Sequence, residues 1–372
     1  MEQARPIYSL KPLQRDYVRE KRGSSALSKS SKRPTIVDVA REAGVSITTV
    51  SRYLNQQYGS MGAETRDRIR HVIEALNYTP NTLAQGLKGN RTQVIAAVMV
   101  NLGYPFCVSI IRSMTEVLTP AGYNLLVAET GGDAERERQL LHSLTAQKVD
   151  GLVLQTNGSN NDLLERFASE IPIVLVDRQF TIPRVTSVVT DNPEASRNLT
   201  AGLFGEGYEL VAYVSEALEG VSTRIERLSG YEQACQAAGR EPHVLWVNRS
   251  EPASLEAAAT KVSKLAAENQ SIAVYTANGL ILMELYPWLR HLPLKIPEQL
   301  GVATFDEPDW AEIASPSLTC IRQPTREMGK MAAKSILKRL AESRIPQKSS
   351  LKVLPSHVIL RGSSRRTSAF KA

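Results

Sequence analysis

Cysteine is scarce: three residues in 372, Cys107, Cys235 and Cys320, widely spaced and odd in number. That pattern gives neither a disulfide framework nor a paired-thiol metal signature, and it fits a reducing cytoplasm. No window approaches the roughly 20 consecutive apolar residues of a membrane span, so no membrane association is expected. The first residues carry charges and prolines where a secretory signal would be apolar. The five histidines are scattered, and HExxH, GxSxG and Walker A motifs are all missing. No enzyme, metal or cofactor is therefore implied. The C-terminal RGSSRRTSAFKA has no leucine heptads, which argues against a tetramerising coiled coil.

What is present is length enough for two or three domains and an uneven distribution of charge. Residues 1–92 hold 16 Lys and Arg against 8 Asp and Glu, whereas the other 280 hold 29 against 30. A basic N-terminal quarter on a neutral body is the electrostatic footprint of a nucleic-acid-binding module joined to something else. Part of it is simpler: residues 1–34 carry 9 basic and 3 acidic side chains and read as a basic, unstructured extension. Charge alone does not separate a tail from a DNA-binding module.

The run TIVDVAREAGVSITTVSRYLN, residues 35–55, is more specific. Ile36, Val39, Ala40 and Ala43 recur at helical spacing, and Gly44 ends the helix where a left-handed conformation is needed. Ser46 is placed to cap a second helix. In that helix Val50 and Leu54 face inward, and Ile47, Thr48, Ser51 and Arg52 point outward. Two helices joined by a short Gly turn can set the second in a major groove. A third amphipathic helix carries Thr65, Ile69, Val72, Ile73 and Leu76 and completes a small core. Periodicity by itself also allows a helical hairpin with no DNA role.

Taken together, DVAREAGVSITTVSRYLN, ETRDRIRHVIEALNYTPN and AQGLKG resemble the headpiece of the LacI/GalR family of transcription regulators. The resemblance implies that Ile47 and Thr48 occupy base-reading positions and that Arg52 can pair with guanine. Ser46, Thr49, Ser51 and Asn55 suit phosphates, which position without specifying sequence. It also implies a hinge helix over NTLAQGLKG, with Asn81 in the DNA-contacting segment. There Leu87 would enter the minor groove and Ala84 would allow close helix approach. Gly86 departs from a good helix former and weakens the isolated helix by up to about 1 kcal/mol.

From Gln93 the pattern changes to short apolar strands alternating with helical stretches: VIAAVMV, YNLLVAET, VDGLVLQT and IPIVLVD, then LVAYVS, HVLWVN, SIAVYTA and LGVATFD. This predicts an α/β body of two doubly wound parallel-sheet lobes, with ligands outside the carboxyl ends of strands. The segments IVLVDR, RLSGY, VATFDEPDWA and LTCIRQPTREMG extend the family resemblance over the body and imply a periplasmic-binding-protein-like fold. Crossovers are implied near Thr190, Arg322 and Pro355.

The same resemblance assigns Arg227 of RLSGY to effector capture, chemistry that a guanidinium performs well on planar anions. Asp306, ending VATFD, either accepts ligand hydroxyls or caps the next helix. Trp310 offers an apolar face for a sugar ring or packs in the core. Asp177, Arg178, Phe106 and Thr223 are further cleft candidates. Asn278 is followed by Gly279 where relatives commonly carry Asn-Asp, so one carboxylate is missing from the cleft. With Arg178 and Arg227, that departure points to a sugar acid or a phosphorylated sugar, and DEPDW resembles members of the ketodeoxygluconate-regulator type.

The expected organisation is an extension (1–34), an all-α helix-turn-helix headpiece (35–79), a hinge and linker (80–92), the body (93–362) and a basic tail (363–372). The first lobe would take 93–190 and 322–352, the second 191–321 and 353–362. The expected function is that of a cytoplasmic homodimeric repressor on double-stranded DNA with a pseudo-palindromic operator, controlled by a small carbohydrate-type effector. A secreted sugar-binding protein would lack the headpiece, and an enzyme would need a nucleophile or a phosphate loop. The stretch before Lys32 is either an upstream start or a basic arm.

Overall fold

The computed structural model describes residues 34–59, 61–79, 91–218, 220–342 and 347–366. The hinge segment, including Asn81, Ala84 and Leu87, lies outside the described residues. The chain divides into two units, residues up to 81 and residues from 82.

The first unit is three helices: α1 (Ile36–Glu42), α2 (Ile47–Leu54) and α3 (Ala63–Ala75). Thr35 opens α1 through a capping box, its hydroxyl accepting from the Asp38 N–H while the Asp38 carboxylate accepts from the Thr35 N–H at 2.9 Å. Gly44 turns the chain at φ +62°, a region open to glycine at little steric cost. The Ser46 hydroxyl then accepts the Thr49 N–H at 3.1 Å and starts α2. Val39, Ala40, Ala43, Val50, Ile69 and Tyr78 form the buried centre, with Leu54, Val72, Ile73 and Leu76 packed around it.

The second unit holds two six-stranded sheets. The first contains β1 (Val94–Met99), β2 (Asn124–Glu129), β3 (Gly151–Leu154), β4 (Ile173–Val176), β5 (Thr186–Thr190) and β11 (Ser350–Leu354), in the spatial order β11-β5-β4-β3-β1-β2. The second contains β6 (Leu210–Ser215), β7 (His243–Trp246), β8 (Ile272–Thr276), β9 (Leu300–Phe305), β10 (Thr319–Arg322) and β12 (His357–Ile359), ordered β12-β10-β9-β8-β6-β7. Every pairing is parallel except β10 with β12. The central strands are apolar along their whole length because helices cover both faces.

Those helices are α4 (Pro105–Leu118), α5 (Ala134–Ala146), α6 (Asn161–Phe167) and α11 (Thr325–Ala341) on the first sheet. On the second they are α7 (Asn192–Gly205), α8 (Ser222–Ala237), α9 (Pro252–Glu268) and α10 (Gly279–Arg290). The first lobe has a core on each face of its sheet, and the second lobe a larger one built around Tyr213, Tyr231 and Tyr275. The two lobes repeat one winding. In each, strand order reverses beside the first strand, so the switch points lie between β1 and β3 and between β6 and β8. Among the described residues, no helix is long and apolar enough to cross a membrane.

Two expected boundaries move. The chain leaves the first lobe after Leu354 rather than 352, because β11 stays paired with β5 through Leu354–Thr190. The segment expected as a basic tail from 363 begins as part of the second lobe. Ser363 and Ser364 are fully buried, the Val302 N–H donates to the Ser363 carbonyl at 2.9 Å, and the Ser363 hydroxyl accepts the Thr319 N–H at 2.8 Å. Small hydroxyl side chains fit between β9 and β10 where long basic ones do not.

Candidate ligand cleft and nucleic-acid interface

Strand ends of both lobes converge on a cavity of about 270 Å³. Phe106, Asp177, Arg178, Thr223, Arg227, Asn278 and Asp306 line it together. Asp177 follows β4 and Asp306 follows β9, equivalent strands of the two lobes, and both residues hold a left-handed backbone at φ +69° and +75°. Such conformations are uncommon outside glycine and turn the side chain away from the course of the strand. Asp306 caps no helix, since none begins beside it. Its carboxylate accepts instead from the Tyr104 hydroxyl and the Gln323 amide.

Arg227 is 4% exposed and fully engaged. Its Nε donates to Asn192 Oδ1 at 2.9 Å and Nη1 to the Ala277 carbonyl at 2.8 Å. Its guanidinium lies 3.6 Å from the centroid of the Phe305 ring, and Nη2 is 3.9 Å from Asp177. Burial disfavours its charge, but Asp306 and Asp177 outweigh that and keep its pKa above the ordinary value. Asp177 is pushed upward by burial despite Arg227, Arg178 and the Gln155 amide, which donates to it at 2.7 Å.

Arg178 is differently placed. Its side chain is 12% exposed, Nη1 makes a 3.4 Å bond to the Thr156 carbonyl, and the buried Nε has no partner among the described residues. Burial lowers its pKa; Asp177 opposes this, and Arg224 and Arg227 add to it. Asn278 lines the cleft while its Oδ1 caps α10 by accepting the Ile281 N–H at 2.9 Å.

Trp310 does not reach the cleft. The chain turns outward after Asp306, and the indole packs on Tyr286 with 5.9 Å between ring centroids, beside Met283 and Pro287. The sugar-platform assignment is corrected to packing on the second lobe. Sequence reasoning missed Tyr104, Glu129, Gln155, Glu216, Arg224, Arg249 and Gln323, all of which line the cavity. Glu129, Gln155 and Glu216 stand at or directly after strand ends, a signal the sequence offered. Arg249 and Gln323 come from a loop and a crossover, whose approach to the cleft is tertiary.

A larger cavity of about 590 Å³ lies beyond Tyr104, Phe106, Asp306 and Gln323, against the crossovers at Gln323–Pro324 and Leu354–Pro355. The smaller cavity is the better ligand cleft, because it gathers the ends of equivalent strands and most of the buried charge.

On the headpiece, Ser46, Ile47, Thr48, Arg52 and Asn55 are exposed, Thr49 and Ser51 half-buried, and Val50 buried. Ile47 is 45% exposed despite being apolar. Ser46 and Thr49 share a 2.9 Å hydroxyl contact in the cap, and the Asn55 amide donates back to the Ser51 carbonyl at 2.9 Å. Arg41 and Arg70 are paired with Asp38 and Asp67. Among the described residues, Arg52 has no ion-pair partner within 4.0 Å.

A two-lobed cleft and a three-helix unit with this exposed polar face define a class: a DNA-binding transcriptional regulator with a small-molecule cleft. Residues 35–81 match the sequence model of bacterial regulatory proteins of the lacI family, and residues 92–352 that of the periplasmic binding proteins and sugar binding domain of the LacI family. The chain belongs to the LacI family. It is 34% identical to the HTH-type transcriptional regulator KdgR of Bacillus subtilis over 309 residues, 82% of this chain and 91% of that protein. It is 32% identical to the regulator PtxS of Pseudomonas aeruginosa over 336 residues, 89% and 96% of the two chains. Among solved structures, the lac repressor dimer bound to operator and the anti-inducer ONPF aligns with a TM-score of 0.76 at 22% identity, covering 90% of this chain and 100% of that one, a likeness of fold. The transcriptional regulator CelR in complex with cellobiose aligns with a TM-score of 0.62 at 27% identity, covering 89% and 100%.

Proposed function

We propose that the chain is a homodimeric repressor whose operator affinity is set by a sugar acid or a phosphorylated sugar in the 270 Å³ cleft. The observation that carries the acidic ligand is Arg178, a nearly buried cation with one long hydrogen bond and an unpartnered Nε. A desolvated cation is costly until an anion satisfies it. The sugar-binding description of the matched family and the cellobiose bound to CelR support a carbohydrate in this position. Phe106 supplies an apolar wall, and Thr223, Asn278 and Asp306 supply polar groups for hydroxyls. Occupancy would change lobe closure, and closure would set how two headpieces meet the halves of a pseudo-palindromic operator.

At the DNA, Ile47 and Thr48 meet base edges, Arg52 reads guanine, and Ser46, Thr49, Ser51 and Asn55 contact phosphates. Asn81, Ala84 and Leu87 keep the roles that the family resemblance gives them. Calorimetric titration with gluconate, glucuronate, glucose 6-phosphate and glucose, together with operator mobility shifts, tests this reading. Binding of an acidic sugar that also changes the shift supports it, whereas binding of neutral sugar alone overturns the effector class. No operator shift at low salt overturns the regulator.

A further inference from the structure

The four arginines lining the cleft differ in what they have left to offer. Arg227 is occupied by Asn192, Ala277 and the Phe305 ring. Arg224, from the first turn of α8, and Arg249, from the loop after β7, share one carboxylate. Glu216, directly after β6, accepts from Arg224 Nη2 at 2.6 Å through one oxygen and from Arg249 Nε at 3.3 Å through the other. One negative charge thus holds two guanidinium groups side by side, all three side chains being between 19% and 28% exposed. Arg178 faces the same cavity from the other lobe, and Arg224 is the like charge that weighs most against it. This part of the cleft therefore carries surplus positive charge contributed by both lobes.

We infer that the anionic group of the effector, a carboxylate or a phosphate, seats between Arg178 of the first lobe and the Arg224–Arg249 pair of the second. These residues rather than Arg227 then discriminate acidic from neutral sugars. The inference rests on the reading of the cleft as an acidic-sugar site. Glu216 is the positioning residue: it keeps two like charges together before ligand arrives, so that little ordering remains to be done on binding. An anion held by both lobes also favours the closed arrangement over an open one, since only the closed form supplies both sets of donors.

The test uses the full chain and the variants Arg224→Gln, Arg249→Gln, the double variant and Arg224→Lys. Each is titrated calorimetrically with gluconate, glucose 6-phosphate and glucose. The readout is the ratio of acidic to neutral affinity within one variant, which a merely structural role would leave unmoved. The double variant should lose about 10- to 100-fold of the wild-type preference, the size expected of charge-assisted hydrogen bonds. Arg224→Lys should keep most of it. Whichever acid the wild type prefers identifies the anionic group, and either answer supports the seat. If the wild type prefers an acid and the double variant preserves the ratio, or loses both ligands equally, the seat is overturned while the acidic-sugar reading stands. A wild type that prefers glucose overturns both.

Discussion

Tyr104 and Gly279 come from opposite lobes and fit one another. The Gly279 N–H donates to the Tyr104 hydroxyl oxygen at 3.3 Å, and a Cβ at position 279 would stand 3.2 Å from that oxygen. The hydroxyl in turn donates to Asp306. Where relatives commonly place an aspartate, this chain leaves room for a neutral hydroxyl that bridges the lobes.

Gly279→Ala should therefore weaken ligand binding by displacing Tyr104, at a cost of order 1 kcal/mol, the low end for overpacking. The same substitution in a Tyr104→Phe background should cost clearly less, because the atom it crowds is gone. A double-mutant cycle on calorimetric affinities measures the coupling. Additive effects would show that Gly279 does not act through Tyr104.

Glu307 ties the strand ends of the second lobe to its C-terminal segment, meeting Arg322 and Arg361 together. Hydrogen bonding from Arg322, then Arg361, overcomes burial and holds its carboxyl below the ordinary value. For an acid whose folded pKa is depressed, the stabilisation is present above the unfolded pKa and lost as pH falls through the folded one. Glu307→Gln should thus lower stability at neutral pH by about 1 kcal/mol, a figure reduced for partial exposure. The gap to wild type should close below the ordinary glutamate range. Denaturant melts at neutral and acidic pH check this, and a gap independent of pH would remove the ion pairs as its cause.

Legibility in the sequence followed how local each feature is. Gly44, Ser46 and the inward face of Val39, Ala43, Val50 and Ile69 were readable because capping and helical period act within a few residues. The capping box of Thr35 with Asp38 was readable on the same grounds and was overlooked. In the body, strand alternation predicted the winding, and the winding predicted that Asp177 and Asp306 face a ligand. The partners of those residues were not readable. That Arg227 spends its donors on Asn192 and Ala277 depends on how α7, α8 and β8 pack. Trp310 was misplaced because one turn after Asp306 decides which side of the lobe it joins.

The headpiece core is small, and Ile69 lies at its centre fully buried. Ile69→Ala removes the side chain by which α3 closes over α1 and α2, and such truncations cost about 2–5 kcal/mol. That is a large share of what so small a core can supply. Operator binding should fall steeply while calorimetric ligand affinity stays within about twofold, since the ligand cleft belongs to the other unit. Equal loss of both activities would mean that the two units do not fold independently.

Arg52 separates reading from positioning. It lies in the last turn of α2, exposed and without an ion-pair partner among the described residues. Its neighbours on that face are an isoleucine and short hydroxyl side chains, which discriminate bases weakly. A guanidinium that pairs with guanine O6 and N7 is worth about 1–3 kcal/mol of discrimination at one base pair. Arg52→Ala should lose that amount on the cognate operator and little on operators already altered at the contacted pair. Arg52→Lys should keep the charge but lose the two-pronged geometry, relaxing specificity more than affinity. A panel of single-base operator variants, titrated at one fixed salt concentration, distinguishes the alternatives. Uniform loss across the panel, with a shallower salt dependence, would make Arg52 a phosphate contact and leave base reading to Ile47, Thr48 and the shape of the DNA.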